Sequence, residues 1–232
     1  MVSEPGPENP LSWREQAVAR SLDSARARAE SRVQRFIDAA LDLMNESASG
    51  KEFTVQEVIE RSGQSLRSFY QYFGGKQELL LALFEESVRS TAEDLRERTD
   101  SENDPLERLH RFVIDYYWLC RPTPKSGTSK RKRSPRALAE FAQQLMTAHP
   151  KEATRAYAPL VSLFDEILDN AVEAGVIRTD LGRRRLAGAV LEAIMFNAFS
   201  MTIGGSLPAS DDDDDAEDLW ELILHGIASN RN

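Results

Sequence analysis

Apolar residues recur at helical spacing along most of the chain. Val33, Phe36, Ile37, Ala40, Leu41 and Met44 follow the i, i+3, i+4, i+7 pattern of one face of an amphipathic helix, which ends at Ser47–Gly50. Thr54 then stands three residues before Glu57. This is the spacing of a capping box, in which each side chain satisfies a free amide at a helix start. Val55, Val58 and Ile59 give that short helix its buried face, and Gly63 stops it by accepting a left-handed terminus. Ser65 can cap the next helix, which carries Leu66, Phe69, Tyr70 and Phe73 on one side and ends at Gly74-Gly75. Two short helices about a tight glycine turn form a helix-turn-helix unit.

Downstream the period stays helical. Leu79, Leu80, Leu83, Phe84 and Val88 open a long helix that fades near Asp100, and Pro105 starts another with Leu109, Phe112, Val113, Tyr116 and Tyr117 inward. Between Arg121 and Arg136 the pattern breaks at Pro122, Pro124, Gly127 and Pro135 among seven basic residues, so a mobile loop is expected up to Ser134. Helices resume at about 135–148, 151–174 (closed by Gly175) and 181–203, and a last helix carries Leu219, Trp220, Ile223, Leu224 and Ile227. No alternating strand pattern of useful length occurs. The expected fold is all-α: a helix-turn-helix three-helix domain over 31–76 and a larger C-terminal helical bundle over 77–232. Residues 1–10 hold three prolines and a glycine, whereas 12–31 favour helix, so 1–30 reads as an N-terminal arm, disordered or partly helical.

Composition narrows the function. A net charge of -9 excludes a wholly basic nucleic-acid coat but not a local basic face. Residues 11–76 carry ten basic and nine acidic residues, while the rest of the chain is acidic. The single cysteine, Cys120, excludes an intrachain disulfide and a multi-cysteine zinc module. His110, His149 and His225 are scattered, with no HExxH, no Gly-rich phosphate loop and no catalytic constellation. No metal, no cofactor and no enzyme activity are therefore expected. The first 30 residues have no apolar run of signal-peptide length, which points to a cytoplasmic protein. Leu186–Ile203 is strongly apolar but carries Glu192 and Asn197, and so reads as a protein-buried helix, not a membrane span.

The segment Phe53–Leu80, FTVQEVIERSGQSLRSFYQYFGGKQELL, resembles the TetR/AcrR family of bacterial transcriptional regulators. The resemblance is carried by Thr54, the triplet Val55, Val58 and Ile59, Gly63, Ser65, the FYQYF run Phe69–Phe73, Lys76 and Leu79. It implies a homodimer with an N-terminal DNA-binding domain and a C-terminal effector-binding and dimerisation domain. The expected DNA-binding residues are Thr54, Gln56, Ser65, Leu66, Arg67, Ser68, Tyr70, Gln71, Tyr72 and Lys76. Arg67 can bond guanine edges and Gln71 adenine edges. By resemblance, Thr54, Lys76, Tyr70 and Tyr72 meet the backbone and Gln56 a base. Two positions depart from the pattern: Gln64 stands where an apolar residue is usual, and Leu66 where a polar one is usual, to read a thymine methyl or to pack. Tyr70 has a second reading as a core aromatic. Arg26, Arg28 and Arg32 have two readings as well, an arm reaching an adjacent groove or solvated helix arginines.

In the C-terminal part the resemblance places an effector cavity among helices bearing Phe112, Tyr116, Tyr117, Phe141, Leu145, Tyr157, Val161 and Phe164, with Asn197 and Gln144 as further polar groups. An ordinary filled core is the competing reading. If a cavity exists, its effector is expected to be small and hydrophobic, acyl or lipid-like. The basic run Lys125 and Lys130–Arg133 is a solvated loop, or a site for an anionic head group or DNA; Asp211–Asp215 reads as a solvated loop. The last two helices fit a dimer interface through Leu186, Val190, Ile194, Met201, Trp220, Ile223 and Ile227. The expected function is a sequence-specific regulator on palindromic double-stranded operator DNA, a repressor released by a small effector with the 77–100 helix as lever. The alternative is a helical protein-interaction module or ligand-binding protein without DNA function.

Overall fold

A computed structural model describes residues 12–46, 53–120, 136–178, 182–203 and 214–227. The order is α1 (Trp13–Glu46), α2 (Val55–Ser62), α3 (Leu66–Tyr72), α4 (Lys76–Thr99), α5 (Pro105–Cys120), α6 (Arg136–Ala148), α7 (Pro150–Glu173), α8 (Arg183–Ile203) and α9 (Asp214–Ile227). Among the described residues every element is helical. The fold is all-α.

Local chemistry sets the first three helices. Thr54 Oγ1 accepts the Glu57 amide at 3.2 Å and Glu57 Oε2 accepts the Thr54 amide at 2.7 Å, so the capping box is closed. Gly63 ends α2 at φ 64°, where its N–H reaches the Glu60 carbonyl. Ser65 Oγ accepts the Ser68 amide at 3.1 Å and so caps α3. Glu78 Oε2 accepts the Gly74 amide at 2.5 Å and closes the turn into α4. A Cβ at Gly74 would meet that same carboxylate oxygen at 2.9 Å.

The buried stripe of α1 (Phe36, Ile37, Ala39, Ala40 and Met44) packs on α2 and α4. Phe36 is fully buried and stands edge-on to Phe69 and Phe73, at 5.5 and 6.0 Å between ring centroids. Arg61 of α2 holds Glu46 of α1 through two hydrogen bonds of 2.8 and 2.7 Å. This surface pair orients the helices more than it stabilises them. Helix α4 packs on α1 and also on α5, α6 and α7. Around it a second apolar centre forms, in which Phe112 stacks on Phe164 at 4.7 Å and Tyr117 is fully buried.

The helix expected from about residue 33 begins at Trp13, so the second half of the 1–30 arm is continuous helix. α9 takes in Asp214 and Asp215 from the acidic run. Residues 1–11, the basic run 125–133 and Asp211–Asp213 lie outside the described residues. No helix among the described residues is long and apolar enough to cross a membrane.

Candidate nucleic-acid interface and effector groove

Helix α3 has two unlike sides. Phe69 is fully buried and Phe73 is 4% exposed, so both anchor the helix on α1. Leu66 and Tyr70 are 52% and 58% exposed, and Arg67 and Gln71 are exposed beside them. Tyr70 is therefore a surface residue, its ring edge against Phe69 at 5.4 Å. Leu66 presents its side chain to solvent and does not pack. Ser65 lies at the exposed cap, while Tyr72 and Lys76 are half-buried. Lys76 Nζ sits 5.2 Å from the centroid of the Phe53 ring.

Three expected contacts are buried or engaged by carboxylates. Ser68 Oγ is buried without a hydrogen-bond partner, so the hydroxyl is turned inward. Thr54 Oγ1 donates to Glu57 Oε2 at 2.9 Å, and Gln56 Nε2 donates to Glu60 Oε1 at 2.8 Å. Sequence spacing places these groups on α2 but says nothing of the neighbouring carboxylates that engage them.

A groove of about 440 Å³ opens among α5, α6, α7 and α8, with Tyr116, Met146, Val161, Gly188, Glu192 and Phe196 among its lining residues. Tyr116, Tyr157, Leu160 and Met195 also border a small inner cavity of about 50 Å³, whose far wall is Phe84 and Val88 of α4. Tyr157 Oη donates to Met195 Sδ at 3.2 Å, and its ring meets Phe84 edge-on at 5.2 Å. Burial pushes the Tyr116 and Tyr157 phenols up, and pushes the Cys120 thiol up to about 12 against a hydrogen bond from Tyr116 that lowers it. All three groups are neutral at physiological pH. The inner cavity can donate hydrogen bonds but offers no charge, and Cys120 is a poor nucleophile.

Of the expected pocket residues, the groove brings together Tyr116, Tyr157 and Val161. Phe112, Tyr117, Phe141, Leu145 and Phe164 are buried in the core and border neither cavity, and Asn197 is exposed on α8. The methionines Met146 and Met195, which suit either an adaptable cavity or a core, also line the groove; Gly188, Leu191, Glu192 and Phe196 of the α8 wall carry one sequence signal, a glycine inside an apolar helix. A Cβ at Gly188 would meet nothing within 4 Å.

The expected dimer residues Leu186, Val190, Ile194, Trp220 and Ile223 are buried in the protomer's own core. That is a correction: an apolar stripe on a terminal helix serves its own subunit first, and spacing cannot tell the two uses apart. The outer faces carry Ala189, Ala193, Phe196 and Asn197 on α8 and Leu222 on α9. The side chains of Met201 and Ile227 lie outside the described residues. No group of three or more possible metal ligands occurs among the described residues.

Residues 36–83, from the Phe36 anchor through α3 into α4, match the family described as bacterial regulatory proteins, tetR family. Over this segment the chain is similar to the tetR family of bacterial regulatory proteins. The HTH-type transcriptional regulator BetI of Brucella canis is 32% identical over 82 residues, 35% of this chain. The match spans 41% of the length of that relative, and BetI of Brucella abortus matches over the same extent. Solved structures support the TetR-family fold over nearly the whole chain. FadR from Bacillus subtilis in complex with stearoyl-CoA has a TM-score of 0.62 at 19% identity, covering 84% of this chain and 98% of its own. A TetR-family regulator from Pectobacterium atrosepticum has a TM-score of 0.66 at 16% identity, covering 88% and 97%. RolR in complex with resorcinol has a TM-score of 0.58 at 20% identity, covering 88% and 91%.

Proposed function

We propose that the protein is a sequence-specific DNA-binding transcriptional regulator, a homodimeric repressor released from a palindromic operator by a small hydrophobic effector. The observation that carries this reading is α3: a capped seven-residue helix whose aromatic side is buried and whose Leu66, Arg67, Tyr70 and Gln71 are exposed. A helix used only for packing would not leave a leucine and a tyrosine more than half exposed beside Arg and Gln, the residue types that read guanine and adenine edges. In this reading residues 31–76 read DNA, Ser65 and Lys76 meet the backbone, and residues 77–232 bind effector and partner. Two copies join through the outer faces of α8 and α9 and so present two recognition helices about one DNA turn apart.

The effector occupies the groove. Its mostly apolar lining, in which Glu192 is the charged residue, suits a hydrophobic body, and the small cavity that shares Tyr116, Tyr157, Leu160 and Met195 with it is bordered by Phe84 of α4. Because α4 also packs on α1, a ligand that favours one position of α4 shifts the recognition helices. It does so only by its differential affinity for the two states. FadR and RolR, seen with stearoyl-CoA and resorcinol, make a small organic effector the favoured class.

Gly188→Leu tests the groove. A Cβ there meets nothing within 4 Å, so expression and fold should be kept, and the helix loses a glycine penalty of about 0.5–1 kcal/mol relative to alanine. Binding of a neutral hydrophobic fluorophore such as Nile red should fall at least about tenfold while DNA affinity is unchanged. Equal dye binding by both proteins would place the ligand elsewhere.

Selection of bound sequences from a random duplex pool tests the function itself. Enrichment of two related half-sites about one helical turn apart is expected. A pool that stays flat at moderate salt, with and without cell extract as effector source, would overturn DNA reading and favour the protein-interaction alternative.

A further inference from the structure

The first half of α1 stands outside the packed body. From Trp13 to Arg35 every side chain is exposed except those of Ala19, Ala29 and Val33, which are half-buried. The span is 23 residues, and at 1.5 Å per residue it is about 34 Å long, roughly one turn of B-DNA.

Its charges are sorted by face. At about 100° per residue, Arg14, Arg20, Arg28, Arg32 and Arg35 fall within about a third of the circumference, interleaved with Ser21, Ser24 and Ser31 and with no carboxylate. Glu15, Asp23 and Glu30 lie on the opposite side together with Arg26, whose Nε donates to Glu30 Oε1 at 2.7 Å. None of the five arginines takes part in an ion pair among the described residues; the Arg14 guanidinium lies 5.5 Å from the Trp13 ring centroid. Arg26 therefore leaves the set of arm arginines singled out in the sequence, and Arg14, Arg20 and Arg35 join Arg28 and Arg32.

A solvated helix ordinarily mixes its charges along each face. A one-signed arginine and serine face on a chain of net charge -9 is complementary to a polyanion. The extension also starts beside the recognition helix, because Phe36, one residue past Arg35, packs edge-on against Phe69 of α3. We infer that the arginine face of the α1 extension is a second DNA contact, gripping the phosphates of the duplex that flanks the bases read by α3. The inference rests on the DNA-binding reading above and adds to it a footprint wider than the recognition helices.

The test uses the full-length protein and a selected site, with and without about one helical turn of extra duplex on each side. Affinity is measured against salt for wild type, for the triple variant Arg20→Gln, Arg28→Gln, Arg32→Gln, and for Glu15→Gln, Asp23→Gln as the opposite-face control. Wild type should gain affinity from the flanks. The triple variant should lose that gain and should show a log–log salt slope shallower by about 2–3 per protomer, at about 0.9 per phosphate contact. Its base preference should be unchanged, and circular dichroism should show the helix retained. The control should behave as wild type. A triple variant with wild-type slope and flank dependence overturns the contact. So does a Val18→Ser, Leu22→Ser variant that lowers the assembly mass and abolishes the flank gain while the arginine variant does not, since the extension then serves another protein chain. A wild type with no base preference sinks the DNA reading and this contact with it; a preference with an arginine-independent slope sinks this contact alone.

Discussion

Phe69→Ala should unfold the helix-turn-helix unit, with selective DNA binding lost as a consequence. Phe69 is fully buried, and its ring meets Phe36, Tyr70 and Phe73 at 5.5, 5.4 and 5.4 Å. Truncating a buried phenylalanine costs about 3–5 kcal/mol, against a total stability of about 5–15 kcal/mol for a whole domain. Helix α3 has seven residues, too few to persist without tertiary packing, so removing its anchor removes the helix. Denaturant titration should show an early transition in the variant that wild type lacks. Tyr70→Ala, at a ring 58% exposed, should shift the midpoint by about 1 kcal/mol or less. A Phe69→Ala protein within about 1 kcal/mol of wild type would mean that α3 is held by something other than this aromatic cluster.

Arg67→Ala should leave stability unchanged and remove base discrimination. The guanidinium is exposed, forms no ion pair among the described residues, and sits on the outward side of α3 one residue from Ser68, whose hydroxyl is turned inward. A bidentate arginine–guanine contact is worth about 1–3 kcal/mol of discrimination, roughly fivefold to more than a hundredfold for each half-site. Arg67→Lys should recover overall affinity better than base choice, because a lysine supplies the charge without the planar fork. Anisotropy titrations on matched and mismatched duplexes separate the two. A variant weakened equally on every duplex would make Arg67 a phosphate contact and pass the reading role to Gln71 or Tyr70.

The features legible in the sequence are those set by near neighbours. The Thr54–Glu57 box, the Gly63 turn, the Ser65 cap and the Val33–Met44 stripe are each decided within a few residues, and each appears in the structure as the spacing implies. The outward side of α3 was only partly readable: Phe69 and Phe73 claim the inner side as their spacing implies, but Leu66 and Tyr70, which the spacing groups with them, are more than half exposed. The state of individual groups was not. Whether Ser68 Oγ turns inward, or whether Gln56 bonds Glu60, depends on rotamers and neighbours that spacing does not encode.

The groove was harder for a different reason. Aromatic residues at helical spacing line a cavity or fill a core with the same pattern. Phe112 and Phe164 stack on each other in the core, whereas Tyr116, one turn along α5 from Phe112, borders the groove. The α8 wall is hidden in the sequence because the same apolar stripe also fits a dimer interface. In the structure Leu186, Val190 and Ile194 are core, and neighbouring positions of the same helix, Gly188 and Glu192, face the groove. A helix that serves both core and groove needs a structure to assign its positions.

The central claim is that α3 reads bases through Arg67. Its most direct test is the affinity of wild type and Arg67→Ala for every single-base variant of one selected half-site, at one salt concentration. The variant should lose preference at one or two adjacent positions, a G·C pair among them, and keep it elsewhere. A preference profile unchanged in shape, lowered uniformly or not at all, would contradict it.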